Sequence, residues 1–169
     1  MAKKLPLSFF KRDALDVAPD ILGKYLVRCF EDGRIERFQI TEVEAYRGEE
    51  DKACHATKGR TKRTEILYHE GGKIYVYFIY GMYWLLNIVT GPLDHPQAVL
   101  IRGVKTISGP GRIGKQLQLD KSFYGELITG NRLWLEESFQ KPTYTTTPRV
   151  GVDYAKEWKD ILWRFVVNE

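Results

Sequence analysis

The chain has 169 residues, 43% of them hydrophobic and 28% charged, which suits one domain with a buried core and excludes disordered and fibrous classes. Net charge is +4, and residues 52–121 carry 11 Lys/Arg against 4 Asp/Glu, so a mid-chain positive patch permits a nucleic-acid partner without requiring one. Cys29 and Cys54 lack CxxC spacing and argue for neither a disulfide framework nor a zinc site, as expected of an intracellular chain.

Residues 5–10 follow Lys3 and Lys4, but they are too short for a signal sequence and contain Pro6. Residues 13–22 read as a short helix in which Pro19 is tolerated only near a first turn. Residues 25–30 and 34–46 read as strands joined by a Glu31-Asp32-Gly33 hairpin turn. In the second strand Thr41, Val43 and Ala45 share one face, and Glu42, Glu44 and Tyr46 the other. Two carboxylates beside a tyrosine suit a site, because a carboxylate in a pocket can deprotonate a water. The same alternation describes a solvated strand face, the usual place for Glu.

Residues 48–63 are polar and loop-like. His55 has no HxxxH or HxH partner, so it is either an ordinary surface histidine or a flat ring that stacks on a planar ligand. Lys58-Gly59-Arg60-Thr61-Lys62-Arg63 places four cations in six residues with no acid. That composition reads as a phosphate-binding loop or a solvated charge run, and it lacks P-loop spacing. Residues 64–69 read as one helical turn.

Residues 74–80 and 83–89 are β-branched and aromatic, strand-like, with Gly81 between them. The stretch 74–86 holds four tyrosines and a glycine and falls short of the roughly 20 residues of a membrane span. Aromatic strands usually pack as core, with Tyr75 and Tyr77 on one face. Tyr80-Gly81-Met82-Tyr83 falls at the hairpin tip, where burial is hardest, and suits a wedge between base pairs. The strand aromatics suit stacking on an extruded base. Asn87, a lone amide in an apolar run, either satisfies backbone or reads a polar ligand edge. Residues 98–103 form a strand ending near Arg102, a group able to hold a carboxylate, water or phosphate. Ser108-Gly109-Pro110 opens a helix to about Leu119 with Ser108 as N-cap. In Pro148-Arg149-Val150-Gly151-Val152 the backbone can approach a ligand closely. Residues 133–135 and 163–167 are late strands. Neighbouring strands with short turns imply antiparallel pairing, and the few helices make the class α+β, in a single domain over residues 1–169.

The order Phe9-Phe10, Leu22-Gly23, Glu42-Val43-Glu44-Ala45-Tyr46, His55, Tyr75-Val76-Tyr77-Phe78-Ile79-Tyr80-Gly81-Met82-Tyr83, Asn87, Val99-Leu100-Ile101-Arg102, Ser108-Gly109-Pro110, Arg149-Val150-Gly151-Val152 and Trp163-Arg164-Phe165 resembles the alkyladenine (3-methyladenine) DNA glycosylase family. The resemblance runs over almost the whole chain. It implies a curved antiparallel β-sheet with a protruding β-hairpin and short flanking helices. It further implies excision of alkylated purines from double-stranded DNA without metal or cofactor; a monomer is the default expectation, and the short apolar stretches imply no membrane association.

By position, Glu44 corresponds to the general base, with Arg102 and the Val150 carbonyl helping to hold the attacking water. Tyr46 and His55 correspond to one wall of the base pocket and Tyr77 to the other, while Asn87 disfavours guanine. Tyr80 corresponds to the wedge, with Gly81, Met82 and Tyr83 beside it in the minor groove, and Arg60, Thr61, Lys62 and Arg63 to backbone contacts. The sequence departs from the family in having Thr64 where Asn is usual, and Gln116-Leu117-Gln118-Leu119 where Ala-Leu-Gly-Ile is usual. Rival readings are a non-catalytic damaged-DNA binding module, and a small-molecule or RNA-binding domain with a similar sheet.

Overall fold

The computed structural model describes residues 3–169. Helices α1 (Leu7–Phe10) and α2 (Ala14–Ile21) precede strands β1 (Tyr25–Cys29) and β2 (Ile35–Arg47). Strands β3 (Ile74–Ile79), β4 (Tyr83–Val89), β5 (Gln97–Val104) and β6 (Ile107–Ser108) follow, then α3 (Pro110–Gln116), β7 (Leu133–Glu136), β8 (Tyr144–Thr147) and β9 (Arg164–Val167). Short 3₁₀ turns occupy His55–Lys58, Glu65–Tyr68 and Lys121–Phe123, and a further pair lies within Asp153–Asp160, broken at Lys156. Among the described residues, no helix is long and apolar enough to cross a membrane.

β2 is the hub of an antiparallel sheet ordered β3-β4-β5-β2-β1-β7. Its first half pairs with β1, and its second half pairs with β5 on one edge and with β9 on the other. It changes partners across register shifts between Ile40 and Val43, an irregularity of the β-bulge kind that bends a strand and strengthens its twist. The result is a strongly curled sheet with two unlike faces. Val43, Ala45, Val99, Ile101, Leu86, Ile88, Ile74 and Val76 point into the main core with Phe10 and with Val17, Ala18 and Ile21 of α2. Each large side chain buried there contributes about 1.5–3 kcal/mol. The opposite face carries a row that runs across four strands, Glu44–Leu100–Asn87–Tyr75. The α+β class and the antiparallel pairing expected from the sequence are therefore observed.

Four local expectations are corrected. Pro19 sits in the last turn of α2, where its missing N–H costs only one bond of a helix already ending at Leu22. The cap of α3 is Gly109 at φ 105°, not Ser108, and no side chain caps this helix. It stops at Gln116 rather than Leu119, because Gln118 adopts φ 53° and the Leu119 and Gln118 amides turn back to the Gly114 and Lys115 carbonyls. That is a Schellman ending with Gln in the place usually taken by Gly. Residues 48–63, expected as polar and loop-like, bury Asp51, Ala53 and Ala56 along with Cys54, and His55–Lys58 form a 3₁₀ turn.

α3 braces the β3–β4 hairpin. At Gly114 an added Cβ would lie 1.8 Å from the Trp84 carbonyl oxygen, so only glycine allows this approach. Beyond α3 the hairpin projects freely, and Tyr80 is 84% exposed.

Candidate active site

The polar face of the sheet opens into a cavity of about 500 Å³, within the range of small-molecule sites. Its floor comes from β3, β4 and β5, through Tyr75, Tyr77, Asn87, Leu100 and Arg102. Its sides come from Tyr46, from Cys54 and His55, from the hairpin, from residues 109–112 and from residues 150–154.

Glu44 is fully buried and does not itself line the cavity; three residues that surround its carboxylate, Tyr46, Arg102 and Val150, do. The Tyr46 hydroxyl donates to Oε1 at 2.6 Å, the Val150 amide donates to Oε2 at 2.6 Å, and Arg102 Nη1 stands 3.7 Å from Oε1. Burial raises the Glu44 pKa above its ordinary 4.5, opposed by the Arg102 charge, the two hydrogen bonds and Arg149. A carboxylate with this balance is more basic than one in water yet has partners for its charge. Each oxygen also keeps acceptor capacity for a further donor. The family resemblance assigns Val150 a role through its carbonyl; the contact that reaches Glu44 is made by its N–H.

Glu42 shares the face but plays a different part. Arg164 Nε donates to its Oε2 at 2.6 Å, so its charge is already paired. Arg102 lies between the two acids, with Nε 3.4 Å from Glu42 but too poorly aligned to form a hydrogen bond. The solvated-face reading of this strand is overturned, because Glu44 has no solvent and Glu42 very little.

His55 opens a 3₁₀ turn, and its Nδ1 lies 2.7 Å from the Tyr75 hydroxyl. Burial, then the charges of Arg63 and Lys58, push its pKa down to about 4, so the ring is neutral near pH 7. Its centroid is 4.5 Å from that of Tyr77, with the planes inclined at 67°. A base sandwiched between two rings needs them about 7 Å apart, twice the ordinary stacking contact of ~3.5 Å. His55 and Tyr77 are thus in edge-to-face contact with each other, and Tyr46 lines the same cavity. Burial also raises the Tyr46 and Tyr77 pKa values, which keeps both phenols protonated.

Asn87 is 3% exposed and lines the cavity, and among the described residues its Nδ2 has no hydrogen-bond partner. Buried donors are ordinarily paired, with protein, water or ligand, because one left unpaired costs about 1–3 kcal/mol.

At the hairpin tip Tyr80 and Gly81 have φ 57° and 66°, and the Met82 amide donates to the Ile79 carbonyl at 3.2 Å. Positive φ at both central residues is the signature of a type I′ turn, in which tyrosine is strained. Met82 and Phe78 are 58% and 49% exposed, and Tyr83 turns inward to the cavity rim.

The basic loop divides. Arg60 donates to Glu65 at 2.6 Å and Asp94 at 3.2 Å and lies over the Tyr68 ring, so its charge is internally balanced. Thr61 bonds with Thr64, which is buried and donates to the Gly59 carbonyl at 2.9 Å. Lys58, Lys62 and Arg63 are exposed, with Arg63 over the outer side of Tyr77 at 5.3 Å. Thr64 thus closes the loop internally.

Sequence reasoning missed the buried Arg149–Asp51 pair, with contacts of 2.7 and 2.9 Å. Asp51 lay in the stretch read as polar and loop-like, and Arg149 was noticed only for its backbone neighbourhood. It also left the Tyr75 hydroxyl without a role. No group of three or more His, Cys, Asp or Glu side chains able to hold a metal ion occurs among the described residues.

The family model described as methylpurine-DNA glycosylase matches residues 8–109 and 104–169. The chain is similar to a protein of Legionella pneumophila (strain Lens), 41% identical over 177 residues, covering 99% of this chain and 96% of the relative. It is similar to one from Psychrobacter cryohalolentis, 40% identical over 189 residues, covering 94% and 89%. A third, from Natranaerobius thermophilus, is 39% identical over 191 residues, covering 98% and 96%. All three carry the name "Putative 3-methyladenine DNA glycosylase".

Proposed function

The chain belongs to the methylpurine-DNA glycosylase family, and from that premise we propose that it flips alkylated purines, 3-methyladenine and 7-methylguanine among them, out of double-stranded DNA and hydrolyses their N-glycosidic bonds with Glu44 as general base. The family places it among DNA glycosylases acting in DNA repair. The observation that supports the finer reading is the buried Glu44 carboxylate, surrounded by Tyr46, Val150 and Arg102, which line a cavity that Asn87 lines as well.

Departure of a base from C1′ passes through an oxocarbenium-like state, as in glycoside hydrolysis. A purine alkylated at N3 or N7 is already cationic and leaves without being protonated first. One basic carboxylate then suffices: it takes the proton of the attacking water, and its negative charge stabilises the cationic sugar. Arg102, beside Oε1, holds the carboxylate in place. Tyr46 faces the flipped base from one side and the His55–Tyr77 surface from the other, with neutral His55 adding no cation against a cationic base. Tyr80 fills the gap left in the duplex, with Met82 and Tyr83 in the minor groove beside it. The reaction is monofunctional, because the nucleophile is water rather than a lysine amine.

Single-turnover excision from a duplex carrying 7-methylguanine tests this, with wild type and Glu44→Gln side by side. Wild type releases the base, and Glu44→Gln binds the duplex but fails to release it. Normal release by the variant removes Glu44 from its role. Binding without release by either protein replaces the enzyme with a damage-binding module.

A further inference from the structure

We infer that the buried Arg149–Asp51 ion pair is a positioning device that sets the general base and the aromatic surface of the base pocket together. Its catalytic consequence rests on the glycosylase reading above. Neither side chain has any solvent exposure, and the two guanidinium Nη atoms donate to the two carboxylate oxygens at 2.7 and 2.9 Å. From this fork, contacts radiate to each part of the site. Nη1 also donates to the Ala45 carbonyl at 3.1 Å, between Glu44 and Tyr46, and the guanidinium lies 4.9 Å from the Tyr46 ring centroid. Nη2 donates to the Trp158 carbonyl at 3.2 Å. The next amide along the chain, that of Val150, is the donor to Glu44. On the other side, Asp51 accepts the Arg47 and Ala53 amides at 3.0 Å each, and Ala53 stands two residues before His55.

A buried ion pair is a poor source of stability, because removing both charges from water costs as much as their attraction returns. What this pair supplies is placement: four backbone groups from three separate segments are fixed around one rigid, planar fork. A lysine retains the charge but not the fork. The groups facing Glu44 are Tyr46 and Glu42 from β2, Arg102 from β5, Tyr77 from β3, Tyr154 and Arg149, with Arg164 of β9 bound to Glu42. Of these, Arg149 is the charged group that is paired with an acid, Asp51, of the segment leading to His55.

The test uses the full chain with two variants, Arg149→Lys and the neutral double variant Arg149→Met/Asp51→Asn. Glu44 is titrated by carbon-13 NMR of its carboxyl, and release of 7-methylguanine is measured in single turnover across pH. The double variant is expected to titrate Glu44 at higher pH than wild type, to shift the acid limb of the rate profile the same way, and to lose about 10- to 100-fold in rate at neutral pH. Arg149→Lys is expected to lose rate while keeping the Glu44 titration near that of wild type. A folded double variant with wild-type titration and rate overturns the inference. Where the double variant does not fold, a folded Arg149→Lys with undiminished rate overturns it, and a lowered rate with unmoved titration upholds it. If wild type itself releases no base while the Glu44 titration still moves, the positioning stands and the glycosylase reading falls.

Discussion

Glu44 loses all solvent yet keeps a site for its charge, and this balance has a consequence for stability as well as for catalysis. Burial holds its folded pKa above the ordinary 4.5, so the native state favours the protonated form. Below pH 4.5 both folded and unfolded chains carry the proton, and the group is neutral in the balance. As pH rises through the folded value, the native state must bear a buried charge that the unfolded chain hydrates freely, and stability is lost. Glu44→Gln is therefore expected to melt higher than wild type at pH 7, with the difference shrinking towards pH 4; thermal scans across that range check it, and a variant less stable at pH 7 refutes it. Excision by wild type falls on the acid side as Glu44 takes up its proton. The alternation of β2 was readable from sequence, but burial of its polar face was not. The amide that covers Glu44 lies 106 residues away, and the arginine that pairs with Asp51 lies 98 away. No local pattern encodes those covers, so pattern alone left Glu42 and Glu44 alike, and only the family resemblance separated them.

The β3–β4 hairpin was legible as an element because its strands are rich in aromatic and β-branched residues around a glycine. Its type I′ tip was not, since the usual Asn-Gly pair is replaced by Tyr80-Gly81. A tyrosine at φ 57° bears a cost of about 1–2 kcal/mol that no folded contact repays, for its side chain is 84% exposed. Strain kept at an exposed tip fits the wedge role proposed for Tyr80. Tyr80→Asn is thus expected to move stability and function in opposite directions. Asn tolerates the left-handed region, so the variant gains about 1 kcal/mol, or roughly 2–4 °C in melting temperature for a chain of this size. At the same time its affinity for lesion-containing duplex falls, because the wedge that holds the flipped state is gone. Titration of a fluorescent lesion duplex alongside a thermal scan separates the two effects. Unchanged affinity removes the wedge role, and an unchanged or lower melting temperature removes the strain. The same logic explains the overestimated α3: residues 117–119 look helical in composition, but Gln118 takes a positive φ that composition does not reveal.

On the scale of the molecule, the positive charge counted between residues 52 and 121 is not all available to a polyanion. Arg60 is held by Glu65 and Asp94, whereas Lys62, two residues on, is exposed, with neither a hydrogen bond nor an ion pair to any described residue. Composition cannot make this distinction, because Asp94 reaches Arg60 only once the chain between them has formed the hairpin. Salt dependence can. Each phosphate neutralised by a protein cation steepens the fall of log affinity with log salt by about 0.9. Lys62→Ala is expected to weaken duplex binding equally for damaged and undamaged sequences and to flatten that slope by roughly one unit. Arg60→Gln is expected to leave the slope close to wild type, because a cation already neutralised releases few counterions, and to loosen the Thr61–Thr64 turn instead, lowering the melting temperature. Binding isotherms at several salt concentrations for the three proteins decide the matter. If Arg60→Gln flattens the slope as far as Lys62→Ala does, the acids do not hold Arg60 in solution and the whole loop faces the backbone. If neither variant changes it, the phosphates are met elsewhere on the basic stretch, with Arg112 at the cavity rim the next cation to remove.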